Sequence, residues 1–323
     1  MTGVVLGSTS ERTPARATTQ MGVYKQPGSM LSNEWQYYTW KLASRFVCLL
    51  PRSVLLSCGK LLGHLYYRIA AKQRNRALRQ IKEHLGLTPE LAETTIRSSF
   101  IKLAQTFIEV LYMPALTKET LASYVTIENR HYLADALAQQ KGVVFLTAHI
   151  GNWEWFGAAL AMAGFPVADI VKRQPNDQHT RLLNENRQLF GIEIFASGTS
   201  EIIGAAKALK KGKMLAFFAD GDAGRDGIFI EFFGKPASTH LGPAVFARKF
   251  NSPVVPGFIT RNPDGTHRIQ LQPPIYYEDT GNPDADLYNL TERTTKIIES
   301  AIRTYPDEWV WFKKRWNTEV KSQ

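Results

Sequence analysis

The sequence is short of several things at once. It has two cysteines in 323 residues, Cys48 and Cys58. That is too few for a disulfide framework or a zinc cluster, and their apolar surroundings point to buried or lipid-facing thiols in a reducing compartment. No apolar run reaches the roughly 20 residues that span a bilayer. Arg52 and Lys60 interrupt every window near the start. The stretch Trp155 to Ala168 stops at 14 residues, bracketed by Glu154 and Asp169 and broken at Gly164-Phe165-Pro166. A buried crossover helix is the better reading of it. Residues 1–30 lack an apolar run behind a basic start, so they form no secretory signal. They read as a disordered extension, with Met21 or Met30 as alternative starts. There is no GxSxG motif, so no serine of that type is available as a nucleophile.

Acid is missing from one long segment. Lys41 to Lys82 contains ten Lys or Arg and no Asp or Glu. Leu42, Phe46, Val47, Leu49, Leu50, Leu61, Leu62, Leu65, Tyr66 and Tyr67 run between these cations. The pattern suits a pair of interfacial amphipathic helices broken at Pro51. A solvated basic face packed on a core is the plainer alternative. So much aliphatic content argues against a nucleic-acid arm. Over the whole chain, 39 basic against 29 acidic residues leave a net charge of +10. Such a field favours an anionic partner: nucleic acid, a phospholipid surface or an acidic carrier protein. A hydrophobic fraction of 44% with 11% aromatics excludes global disorder.

Past the basic segment, helix and strand patterns alternate. Residues 88–113 read as a helix opened by Thr88-Pro89 and stopped by Pro114. Strand patterns at 124–129, 143–147, 165–171, 192–196, 214–219 and 253–260 are separated by helical ones at 131–140, 153–163, 176–190, 200–210 and 241–250. Residues 267–275 read as an antiparallel edge strand and 285–304 as a closing helix. This implies an α/β fold, a layered and mostly parallel sheet flanked by helices, with a helical amphipathic N-terminal lead. The expected organisation is one domain over 31–323, of which 31–85 is a membrane-associating lead.

Within it, TAHIGNWEW (147–155) sets His149 five positions before Glu154. On one regular helix that step turns the two side chains about 140° apart. They can meet only if His149 lies on a loop after a strand and Glu154 in the next helix's first turn. Gly151 permits the tight turn and Asn152 is a good N-cap. The carboxylate would then fix the imidazole tautomer and leave the other ring nitrogen as a general base. Without a protein nucleophile nearby, the attacking group would be a substrate hydroxyl. A core histidine beside a helix-start glutamate is the competing reading.

TAHIGNWE resembles the H-x4-D/E motif of the lysophospholipid acyltransferase superfamily, in the HxxNWE form of the lipid A biosynthesis late acyltransferases. Further blocks resemble that family in order. They are VKRQPND (171–177), ENRQLFGIEIF (185–195), the FFGKPA-x-T core within 218–256, and EWVWFKKRW (308–316). Together they cover roughly 31 to 318. Departures exist: the family's P-D-Q/E-D reads Ala219-Asp220-Gly221-Asp222, its C-terminal histidine is replaced by Lys313, and the lead lacks one clear transmembrane helix.

The resemblance implies a glycerolipid acyltransferase-like fold and an O-acyltransferase that uses no metal or organic cofactor. His149 would deprotonate an acceptor hydroxyl, Glu154 would orient the ring, and amides at the start of helix 152–163 would stabilise the oxyanion. The donor would be acyl-carrier protein or acyl-CoA. The acceptor would be an anionic membrane glycolipid, most simply a lipid A precursor. Other acceptors remain open: a phosphatidylinositol mannoside, an amino-acid lipid or a lysophospholipid. The enzyme would lie on the cytoplasmic face of the bacterial inner membrane, peripheral or monotopic, with no nucleic-acid partner. Asn152, Arg173, Arg187, Asp220, Asp222, Gly234, Lys235 and Thr239 form the expected substrate-binding set. Arg173 suits phosphate, whereas Arg187 is equally readable as a paired mid-helix arginine. Asp220 and Asp222 read as holding the 224–235 loop rather than a metal. Gly234-Lys235-Pro236 with Thr239 reads as a cradle for phosphate or phosphopantetheine, or as a plain hairpin turn. Phe232, Phe233, Trp309, Trp311 and Trp316 read as core, acyl-pocket wall or interfacial indoles. A non-catalytic basic membrane-binding module would explain the charge but not His149 with Glu154.

Overall fold

A computed structural model describes residues 30–171 and 177–320. The extension expected before Met30 and the side chain of Arg173 lie outside the described residues. The chain begins with three helices, α1 (Met30–Val47), α2 (Arg52–Ile69) and α3 (Ala71–Leu85), followed by the long α4 (Pro89–Tyr112). The break expected at Pro51 separates α1 from α2, and Ala70 adds a second corner before α3. Thr88 accepts a hydrogen bond from Leu91 N, and Pro89 takes the first helical position, where a missing N–H is harmless.

After α5 (Lys118–Tyr124) the strands and helices alternate: β1 (Val125–Glu128), α6 (His131–Ala138), β2 (Val143–Thr147), α7 (Trp153–Met162), β3 (Val167–Val171), α8 (Asp177–Leu189), β4 (Glu193–Ala196), α9 (Ile202–Lys210) and β5 (Met214–Phe218). A hairpin of β6 (Ile228–Phe232) and β7 (Lys235–Thr239) intervenes. Then come α10 (Gly242–Phe250), β8 (Val254–Arg261), β9 (His267–Leu271) and α11 (Pro283–Thr304). The seven-stranded sheet has the order β1-β9-β8-β2-β5-β3-β4. Each pair is parallel except β8 with β9.

Strand β9 is antiparallel to β8 as expected, but it is not an edge. Val125 to Glu128 pair in parallel with His267 to Gln270, so β1 closes the sheet beyond it. Its alternate residues His267, Ile269 and Leu271 are buried on the face turned to the core. The turn expected at Gly234-Lys235-Pro236 joins β6 and β7, which pair with each other and not with the main sheet.

Every side chain of β2 is buried, as the continuous apolar run requires. Val144 and Leu146 pack into one face of the core; Val143 and Phe145 pack into the other, against α7. The period of two thus divides one short strand between two hydrophobic layers.

Two glycines bring α2 onto α4. A Cβ on Gly59 would stand 2.8 Å from the Gln105 Cα, and one on Gly63 would overlap the Ile101 backbone. The side of α2 facing away carries Val54, Leu61, Leu62, Leu65 and Ile69 in the open, and α1 likewise exposes Trp35, Tyr38, Leu42 and Phe46, followed by Leu49 in the turn after it. No helix among the described residues is long and apolar enough to cross a membrane. Gly63→Val should force α2 off α4 and lower stability by about 1–3 kcal/mol, the usual range for an overpacked contact. Guanidinium unfolding monitored by circular dichroism checks this, and an unchanged midpoint would refute the close packing.

Candidate active site

Strand β2 delivers the chain to the carboxyl edge of the sheet, where open α/β folds place ligands. There Ala148, His149 and Ile150 form a short connection. Ile150 makes a β-bridge with Trp309, and Gly151 N donates to the Glu308 carbonyl at 3.1 Å. Gly151 has φ +62°, and a Cβ there would collide with the Ile259 carbonyl. Only glycine meets both demands. Asn152 caps α7, its side chain accepting from Trp155 N at 3.1 Å. The strand–turn–helix arrangement read from TAHIGNWEW is therefore present.

His149 is partnered by Asp220 at the end of β5, with Nδ1 2.7 Å from Oδ1. The Trp309 indole donates to the other carboxylate oxygen at 2.9 Å. Burial alone would raise the Asp220 carboxyl. The His149 imidazole, the Lys313 ammonium and the two hydrogen bonds outweigh it and hold the acid well below the usual carboxylate range. An ionised Asp220 can only accept, so Nδ1 carries the hydrogen, and in a neutral ring the lone pair is on Nε2. Among the described residues no side chain hydrogen-bonds to Nε2. Rings of Phe218 and Trp153 flank the imidazole at centroid distances of 4.9 and 5.2 Å. Lys313, where the family resemblance would place histidine, feels the same carboxylate: burial lowers its ammonium and Asp220 pulls it back up.

Glu154 makes no hydrogen bond to His149 among the described residues. It lies in the first turn of α7, buried, and its two oxygens accept from Arg187 Nε at 2.9 Å and Nη2 at 2.5 Å. The helix start turns the carboxylate towards α8, whose planar guanidinium takes it in a two-pronged pair. Of the alternatives for Arg187, the structure shows the paired one. Asp169 on β3 lies beside this pair, and burial pushes its carboxyl up to about 6.

Behind the turn lies Glu109 of α4, 1% exposed. Its carboxylate accepts from Asn152 Nδ2 at 2.9 Å, Arg52 Nη2 at 3.1 Å, and Arg261 Nη1 and Nη2 at 2.9 and 2.6 Å. His267 Nε2 lies 3.1 Å away, and the Glu109 carbonyl accepts from the Trp155 indole at 3.0 Å. Burial would raise this acid too, but the His267 imidazole and Arg261 hold it well below the ordinary range. Sequence reasoning missed Glu109, Arg261 and His267. The available signal was a lone acid inside the apolar run Phe107-Ile108-Glu109-Val110-Leu111.

The remaining expected residues are dispersed. Asp222 accepts from the Thr318 hydroxyl at 2.9 Å and from Gly224 N at 3.3 Å, so it anchors loop and tail. Gly234 sits at φ +75° in the hairpin turn, and Lys235 pairs with Glu83 of α3. Thr239, at the other end of β7, is buried and accepts from Arg315 Nη2 at 2.7 Å. Four steps along an extended strand separate Lys235 from Thr239 by about 13 Å, so the two backbones do not form one cradle. Phe232, Phe233, Trp309 and Trp311 are buried in the core, with Trp316 packed against them.

A parallel sheet that presents an imidazole–carboxylate pair at its carboxyl edge, with the imidazole's second nitrogen unengaged, is equipped to activate a hydroxyl brought by a substrate. Comparison with known proteins gives this class its family. The sequence model of bacterial lipid A biosynthesis acyltransferases matches residues 25–318, and the chain belongs to that family. It is 24% identical to the lipid A biosynthesis lauroyltransferase of Escherichia coli over 284 residues, which is 83% of this chain and 87% of that protein. It is 23% identical to the phosphatidylinositol mannoside acyltransferase of Mycolicibacterium smegmatis over 258 residues, 77% of this chain and 83% of that protein. The lipid A biosynthesis palmitoleoyltransferase of E. coli is 23% identical over 276 residues. The protein is thus an acyltransferase.

Glu109→Gln should leave Arg52 and Arg261 without a buried counter-charge and cost about 3–5 kcal/mol at neutral pH. A carboxyl held low in the folded state stabilises above its unfolded value, near 4.3, and that contribution fades as pH falls. The gap between variant and parent should therefore be widest near pH 7 and narrow below about pH 4. Urea unfolding across pH measures it, and a gap independent of pH would contradict the assignment.

Proposed function

We propose that the enzyme transfers a fatty acyl chain from an acyl thioester, carried by acyl-carrier protein or coenzyme A, to a hydroxyl of a membrane glycolipid. The observation that carries this is the 2.7 Å contact between His149 Nδ1 and Asp220, which leaves Nε2 as the base. Nε2 removes the acceptor hydroxyl's proton as its oxygen attacks the thioester carbonyl carbon. The oxyanion of the tetrahedral intermediate is stabilised by N–H groups at the start of α7. It collapses with cleavage of the carbon–sulfur bond. The thiolate leaves with the proton held by His149, and the ester remains on the lipid. Asp220 orients the ring, and Glu154 with Arg187 fixes the helix start. No metal or organic cofactor enters these steps.

A lipid A precursor is the favoured acceptor, supported by family membership and by the names of the two E. coli relatives. A phosphatidylinositol mannoside is the second reading, supported by the mycobacterial relative's name. Residues 31–85 would hold the enzyme on the cytoplasmic face of the inner membrane. The open apolar faces of α1 and α2, beside the acid-free basic stretch 41–82, fit an anionic lipid surface. Each basic residue near such a surface adds about 1 kcal/mol.

His149→Ala should abolish transfer. Asp220→Asn should lower kcat by about 10²–10⁴-fold with little change in KM, as loss of an oriented base does. Glu154→Gln and Arg187→Gln should match each other in a smaller loss. Steady-state assays with lauroyl-carrier-protein and lauroyl-CoA against a lipid A precursor read these out. A fully active Asp220→Asn beside an inactive Glu154→Gln would return the orienting role to Glu154. Leu42→Ser with Leu61→Ser should weaken sedimentation with phosphatidylglycerol vesicles; undiminished binding would remove the lead from the membrane contact.

A further inference from the structure

Away from the His149 centre, a cleft of about 350 Å³ opens between α3, the β6–β7 turn and the chain around Lys314–Asn317. Arg76, Arg79, Lys235 and Lys314 line it, against one acid, Glu83. Glu83 is already engaged by Lys235. Among the described residues no ion pair within 4 Å engages Arg76, Arg79 or Lys314, so four cations share one concavity with a single acid. The cleft also contains His84, stacked on Trp316 with ring centroids 3.6 Å apart. Burial lowers the His84 imidazole, so the ring contributes a flat neutral wall.

The cleft is also tied to the reactive centre. Gln80 donates to the carbonyls of Trp311 and Lys313 at 2.5 and 3.0 Å, and Arg76 donates to the Phe312 carbonyl at 3.2 Å. This main-chain strip continues directly from Trp309, whose indole holds Asp220. Of the cations that line the cleft, Lys314 thus sits on the segment that holds Asp220, and Arg76 of α3 is hydrogen-bonded to it.

We infer that this cleft is a phosphate subsite. Like charges held together in a concavity repel one another until an anion is bound, and paired guanidinium and ammonium groups match a phosphate's oxygens. The assignment rests on the proposed reaction only in naming the substrate that brings the phosphate. Both candidates contain one: the thioester donor through its pantetheine arm, and a phosphorylated glycolipid acceptor.

Arg79 and Lys314 are exposed, so Arg79→Gln with Lys314→Gln leaves the fold intact, which circular dichroism checks. The full chain should bind inorganic pyrophosphate in calorimetric titration, and the double variant should bind about tenfold or more weakly, equivalent to about 1.4 kcal/mol. A matching rise in KM for acyl-CoA but not for acyl-pantetheine, which lacks the phosphate, assigns the subsite to the donor. A rise confined to the phosphorylated acceptor, absent with its dephosphorylated form, assigns it to the lipid. A parent chain that fails to bind pyrophosphate overturns the subsite, as do substitutions that leave either its affinity or both KM values unchanged. Should the parent catalyse no transfer, the proposed reaction falls while the titration still decides the cleft.

Discussion

The buried carboxylate of Glu109 is the constraint around which the rest is arranged. A lone charge at 1% exposure would be prohibitively unfavourable. Its donors must come from wherever the chain can supply them, and they come from four places. Arg52 opens α2, Asn152 caps α7, Arg261 ends β8 and His267 begins β9. One acid thereby fixes the N-terminal lead, the reactive turn and the antiparallel end of the sheet relative to one another. Because each donor is spent on this carboxylate, none is free to wander, and the turn bearing His149 inherits that rigidity.

Much of the scaffold was legible because it depends on local chemistry. The continuous apolar run 143–147 is β2 to the residue, and Thr88-Pro89 and Asn152 mark helix starts where expected. Glycine at 151 announced a tight left-handed turn, and a Cβ there would also collide with the Ile259 carbonyl. What could not be read was pairing across distance. Nothing near His149 in sequence distinguishes Glu154, five residues on, from Asp220, 71 residues on. The choice is made by sheet order, which sets β5 beside β2 in parallel register and ends both strands at one edge. The same blindness placed β9 at an edge, because the partner that covers it, β1, lies some 140 residues earlier.

The family pattern and the physical reading diverge instructively at Glu154. A motif records which residues recur together and not which atoms meet. Here the glutamate's two oxygens go to Arg187, which holds the first turn of α7 against α8. The imidazole's partner lies outside the motif, where sequence spacing gives no hint of it.

The segment from Asp307 to Arg315 follows every strand of the sheet in chain order, yet it reaches into the centre. Ser99 donates to the Trp309 carbonyl, Lys102 pairs with Asp307 and Glu308, and the Trp309 indole reaches Asp220. On a ribosome, then, the sheet can be assembled while the base is still incomplete. The nascent chain carries an imidazole whose carboxylate partner lacks its second hydrogen bond until these last turns emerge. The full set of hydrogen bonds around His149 and Asp220 is thereby tied to a segment made after every strand of the sheet, and a chain that stops short of it holds only part of that arrangement.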